Sequence, residues 1–170
     1  LAEPVNSYIC EWHPTLTKNG VIYFASERGY DHGIADLYRA IPEKDGSYRV
    51  EKLPSAINTE YNETDPLIAP DESFLIFASN RPGGISGKDI YNRPWGYNET
   101  DLYISYHKGN NIWSQAKNLG NKINSVFWEF APSFSPDFKY LFFTRRENFK
   151  TISPSKIYWV DMSFIEKLKE

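Results

Sequence analysis

With a single cysteine, Cys10, the chain cannot close an internal disulfide, and no second Cys or His pair at ligand spacing stands ready to make a structural zinc site. Cys10 therefore reads as a small buried hydrophobe. No run approaches the roughly 18 apolar residues of a membrane helix, and no basic segment followed by an apolar one opens the chain, so no insertion into a membrane is expected. Any export signal would lie upstream of Leu1. A net charge of −3 is too weak a field to argue for nucleic acid or an anionic surface as partner. Amphipathic segments of ten residues are missing between the apolar runs, which excludes a parallel α/β architecture. Also missing are a Gly-x-Ser-x-Gly elbow, a His-Glu-x-x-His pair and a phosphate loop opening a helix. The Gly-rich run Pro82 to Gly87 precedes no helix and reads as a turn. No catalytic residue, metal site or cofactor is assigned.

Aromatic residues are abundant, at 16% of the chain, and lie in short runs between turn formers, a composition that favours sheet. Self-comparison then shows one pattern three times: Leu1, Val5, Asn6, Ser7, Glu11, Pro14; Leu53, Ile57, Asn58, Thr59, Glu63, Pro66; and Leu119, Ile123, Asn124, Ser125, Glu129, Pro132. Each copy leads through a turn into a strand: Lys18-Asn19-Gly20 before 21–26, Pro70-Asp71 before 74–79, Pro136-Asp137 before 140–144. Proline fixes φ and the aspartate bonds the backbone two residues on, which makes Pro-Asp a turn opener. A third strand follows at 36–40, 101–105 and 156–160, and a fourth at 48–53 and 113–119.

Four short antiparallel strands at a period of about 50 to 65 residues are the pattern of a propeller blade. The expected architecture is all-β: a single partial propeller over residues 1–170, with blades at about 7–53, 59–119 and 125–170. An insertion at 82–100 lengthens the second blade, and a short C-terminal helix at 163–170 replaces the fourth strand of the third. Three blades cannot close a ring, so a partial ring is expected, completed by missing blades of the same chain or by a second copy.

Residues 69–81 and 133–144, each built around Pro-Asp and an apolar strand, resemble the repeats of TolB-like propellers. The first blade departs, with Thr17-Lys18-Asn19-Gly20 in place of Pro-Asp. The resemblance implies a six-bladed ring and a periplasmic or extracellular location in a bacterium, and it implies no particular ligand.

Three sets of residues are candidates for function. Glu11, Glu63 and Glu129 begin the innermost strands and could aim a circle of carboxylates at the channel mouth, binding a cation or a polyhydroxylated ligand. Their alternative role is structural, bonding backbone amides between blades. Arg28 with Asp36, Arg81 with Asp101 and Glu147 with Lys156 read as ion pairs across a hairpin, because both signs exchange together in the third blade. Trp95 and Tyr97 in the insertion, with His13, Trp12 and Trp128 beside the motif Glu positions, are flat amphipathic groups suited to a protein or glycan partner. For Trp12 and Trp128 packing between blades is the alternative. Sialidase-like propellers share the architecture, but their Ser-x-Asp-x-Gly-x-Thr-Trp box is missing. Asn62-Glu63-Thr64 and Asn98-Glu99-Thr100 fit the glycosylation pattern, a match that chance explains in a bacterial context. The reading is a non-catalytic binding or scaffolding domain that presents loops to a protein or glycan, against a glycan hydrolase or lyase or the accessory half of a peptidase.

Overall fold

The computed structural model describes residues 1–29, 34–85, 100–147 and 154–169. It holds three antiparallel sheets, each a meander in chain order. The first is β1 (Glu11–Leu16), β2 (Ile22–Ser26), β3 (Asp36–Pro42) and β4 (Tyr48–Lys52). The second is β5 (Glu63–Ile68), β6 (Phe74–Ser79), β7 (Asp101–Tyr106) and β8 (Lys117–Asn118). The third has three strands, β9 (Trp128–Phe134), β10 (Tyr140–Arg146) and β11 (Ser155–Asp161), so β11 is its outer edge. This is a partial propeller.

Every residue of β2 and β6 is buried. A strand covered on both faces needs no polar alternation, which is why Phe74–Ser79 reads as a continuous apolar run. Two apolar clusters seal the blades to one another. Tyr23, Ala25 and Leu37 of blade one meet Leu75, Phe77 and Tyr103 of blade two. Ile76, Leu102 and Ile104 of blade two meet Leu141 and Phe143 of blade three. The chain ends in α1 (Ser163–Glu166) and a 3-10 turn (Lys167–Lys169), and Ile165 of that helix is buried in the second cluster. The helix thus fills the wedge between blades two and three rather than extending the sheet.

The three turns into the second strands share one backbone solution. Gly20, Glu72 and Phe138 each have φ between 61° and 81°, and their N–H groups donate to the carbonyls of Thr17, Ala69 and Ser135. Blade one lacks Pro-Asp and meets the same left-handed requirement with glycine, the residue that adopts it without steric cost.

Two expectations need correction. Cys10 is exposed, not buried, because it lies in the linker before β1. The fourth strand of blade two is only two residues long, with an isolated bridge between His107 and Trp113. Side chains displace the ladder there: Ser114 Oγ accepts from the Tyr106 amide at 2.9 Å, Ser105 Oγ donates to the Ser114 carbonyl at 2.6 Å, and Trp113 turns edge-on to Tyr23 of blade one.

Candidate functional site

Glu11, Glu63 and Glu129 open β1, β5 and β9, yet they do not form a ring of free carboxylates. Glu63 and Glu129 are fully buried and Glu11 largely so. Each is held by the Ser or Thr four residues earlier, through both amide and hydroxyl. Ser7 donates at 3.0 and 2.6 Å, Thr59 at 2.7 and 2.8 Å, and Ser125 at 3.1 and 2.5 Å. An arginine closes each cluster: Arg28 at 3.0 Å from Glu11, Arg81 at 3.1 Å from Glu63, Arg145 at 2.6 Å from Glu129. The same guanidinium donates to a linker carbonyl, that of Val5, Ile57 or Ile123, and lies over an aromatic pair of its own blade. Burial raises the Glu63 and Glu129 carboxyls above their ordinary values, opposed by bonds from Thr59 and Ser125 and by the arginines. At Glu11 burial also pushes upward, but the bonds from Ser7, Arg28 and Ser26 prevail and the carboxyl sits low. Carboxylates satisfied in this way tie linker to strand and offer nothing to a ligand.

The expected hairpin ion pairs are overturned in two blades. Arg28 and Arg81 turn to the glutamates, and Asp36 is met by Lys52 at 2.5 Å. Asp101 accepts from the Ile85 amide at 2.5 Å and from Asn118 at 2.6 Å. The reason is reach: a buried carboxylate and a linker carbonyl together satisfy more of the guanidinium's fork than one carboxylate across the strand. In blade three Lys156 lies 3.2 Å from Glu147, on the surface.

What does face the axis is the next repeated feature along each inner strand. The β1–β2, β5–β6 and β9–β10 registers all shift at the same repeat position, and His13, Asp65 and Ala131 sit there with φ of 50°, 50° and 49°. Each precedes the motif proline, which cannot donate to a ladder and is tolerated at a bulge. Non-glycine residues in the left-handed region mark stored strain and mark a site worth attention. The bulges turn these residues, with Pro14, Pro66 and Pro132 and with Thr15 and Ser133, onto one cavity of about 280 Å³. Inside it His13 Nδ1 lies 2.6 Å from Asp65 Oδ1, and Asp65 Oδ2 accepts from Thr64 at 3.0 Å. Asp65 is buried and His13 half exposed. The bond to Asp65 raises the His13 imidazole above its ordinary value against the opposing effect of burial. The cavity is thus an apolar, proline-walled cleft with one charged pair on its wall.

Of the sequence-predicted site residues among the described ones, only His13 lines this cleft. Trp12 is partly buried against the cluster between blades one and two, and Trp128 stacks on Phe130 at 4.3 Å. Trp95 and Tyr97 lie outside the described residues. Asp65 was missed, although its position immediately before the motif proline is the signal that would have found it. Among the described residues no group of three or more His, Cys, Asp or Glu could hold a metal ion, and no helix is long and apolar enough to cross a membrane.

No protein-family model and no curated protein matches the chain. Among solved structures, a candidate TolB from Agrobacterium tumefaciens overlays on 94% of this chain with a TM-score of 0.62 and 14% sequence identity, and the overlay covers 48% of that protein's chain. The likeness shows the propeller fold, and this chain spans about half the length of that solved structure.

Proposed function

We propose that the chain is half of a non-catalytic binding propeller of the bacterial envelope, periplasmic or extracellular, whose axial cleft and surrounding loops take a protein or glycan partner. The carrying observation is the triple bulge. Three blades spend a strained left-handed residue at one repeat position, and all three residues line the same cleft. Rigid proline walls with a single His–Asp pair suit recognition, since small-molecule and peptide sites are concave, mostly apolar and marked by a few placed polar groups. The committed state of the glutamates speaks against glycosidase chemistry, which needs two accessible carboxyl groups flanking the scissile bond.

The reading is tested by placing a photo-crosslinking benzophenone side chain at Thr15, beside the cleft, and at Arg49 on β4 as a control. The variants are irradiated with bacterial envelope extract and, separately, with soluble peptidoglycan fragments. Adducts at Thr15 and not at Arg49 are expected. Release of reducing sugar from those fragments by the purified chain would replace this reading with the glycan hydrolase one.

A further inference from the structure

The sheet registers make the three blades superimposable residue by residue. Leu37 lies opposite Ala25 in blade one, Leu102 opposite Ala78 in blade two, and Ile157 opposite Thr144 in blade three. Two residues on, Arg39 faces Tyr23, Ile104 faces Ile76 and Trp159 faces Phe142. In blades one and two this face is sealed by the blade that follows, and Leu37, Leu102 and Ile104 have no exposure. In blade three Ile157 is 78% exposed and Trp159 62% exposed. The face that receives a following blade is therefore present and uncovered.

A second repeated device shows what would cover it. Asn58 accepts from the Leu37 amide at 2.8 Å and donates to the Leu37 and Leu53 carbonyls at 3.0 and 2.9 Å, while the Leu53 amide donates to the Leu37 carbonyl at 3.0 Å. The segment from Leu53 to Asn58 is a clip closed on the backbone N–H and C=O of one residue, Leu37, at the outer edge of β3. Leu119 and Asn124 close the same clip on Leu102, at 3.0, 2.8 and 2.9 Å. Register puts the Ile157 peptide at the equivalent place on β11, an edge strand.

The third clip is already folded. In the second and third motif copies, the amides of Ile57 and Asn58 bond the Pro54 carbonyl, and those of Ile123 and Asn124 bond the Gly120 carbonyl. In the first copy Val5 and Asn6 bond the Ala2 carbonyl in the same way, and the Asn6 side chain donates to the Leu1 carbonyl as Asn58 does to Leu53. Asn6 is exposed. The chain thus carries a preformed clip at one end and an uncovered edge of the shape that clip grips at the other.

We infer that two copies associate head to tail, Leu1–Asn6 of each clipping the Ile157 peptide of its partner and blade one of each stacking on the face of Ile157 and Trp159. Heterologous junctions close when the rotation permits, and two half-rings joined at two identical junctions make a closed two-fold ring.

Light scattering on the purified chain decides it, with a mass of twice 19.7 kDa expected. Asn6→Ala damages the clip, and Ile157→Glu with Trp159→Glu damages the face. All three residues are exposed, so each variant keeps its blades, verified by circular dichroism. Each variant should dimerise at least tenfold more weakly than the parent. A mixture of the two should recover dimer, because one undamaged clip then meets one undamaged face. A folded parental monomer at the highest soluble concentration would overturn the proposal and leave the face to a blade of a longer chain. So would species larger than the dimer, a dimer neither variant weakens, or a mixture that recovers nothing.

Discussion

Arg145 meets Glu129 from directly across the strand pair, whereas the residues directly opposite Glu11 and Glu63 are Ser26 and Ser79. In blades one and two the arginine comes two residues later, at Arg28 and Arg81, and its Nε donates to that serine at 3.0 Å. One buried cluster is therefore built from two different strand positions, with Glu147 occupying the place that arginine holds elsewhere.

Transplanting the other arrangement tests the equivalence. Arg145→Ser alone strands the buried Glu129 carboxylate, and breaking such a pair costs about 3–5 kcal/mol. Adding Glu147→Arg recreates the Ser-x-Arg spacing of blades one and two and should recover most of the loss. Chemical denaturation of the single and double variants reads this directly. A double variant no more stable than the single would mean that the linker geometry of blade three does not accept the other arrangement.

Lys156→Ala is the contrasting case. The Lys156–Glu147 pair is exposed at both partners, and surface pairs are worth about 0–1 kcal/mol. The denaturation midpoint should barely move, and a shift comparable to that of Arg145→Ser would show that the hairpin pair carries load in blade three.

The exchange of charges at Arg28, Asp36, Glu147 and Lys156 was visible in the sequence, but its meaning was not. Strands and repeat follow from period and turn residues, which depend on local backbone preference. An arginine's partner depends on where a long side chain finds an acceptor, and the Val5, Ile57 and Ile123 carbonyls that draw it inward belong to linkers whose path only the folded chain defines. The cleft was hidden for a related reason. His13, Asp65 and Ala131 have no chemistry in common, and they share only a backbone conformation that an extended-strand reading does not anticipate. The Leu-to-Asn spacing of the motif was plain, while its use as an edge clip required knowing that Leu37 and Leu102 turn their peptides outward.

The cleft predicts a titration. The Asp65 bond holds the His13 pKa above its ordinary value, so the imidazole is charged in the folded protein at a pH where it is neutral in the unfolded chain. Stability from the pair is complete below the unfolded histidine pKa of about 6.5 and is lost as pH rises through the raised folded value. Side-chain NMR should place the His13 pKa above the ordinary histidine value of about 6.5 and move it down in Asp65→Asn. A His13 titration unchanged by that substitution would show that the 2.6 Å contact does not persist in solution.

The motif glutamates should separate from one another in their pH dependence. Burial raises Glu63 and Glu129, so the folded state takes up their protons more readily than the unfolded one, and their contribution falls as pH rises from the ordinary carboxyl range through the raised values. Glu11 is lowered, and the stability it adds is lost as pH falls through its folded value. Carboxyl carbon NMR should resolve Glu11 titrating first from the acid side, with the other two later. Glu63→Gln should flatten the descending limb, and a profile unaltered by it would place the pH dependence elsewhere.

The edge clip gives the last test, because the Asn58 amide is used at both ends. Its oxygen accepts the Leu37 N–H and its nitrogen serves the Leu37 and Leu53 carbonyls. Asn58→Ala leaves the Leu37 N–H and the Leu53 carbonyl buried without this partner, and each such group costs about 1–3 kcal/mol. Asn58→Asp is closer in shape and should be worse at neutral pH, since a buried carboxylate then faces two carbonyl oxygens. Protonation would turn one of those repulsions into an O–H donation, so the Asp variant should regain stability as the pH falls, whereas the Ala variant should show no such recovery. Desolvation would raise the folded pKa of that carboxyl, the condition for stability to climb on acidification. Denaturation of both variants across the acidic range separates the cases, and an Asp variant as stable as the parent at neutral pH would mean that the donor half of the clip does no holding.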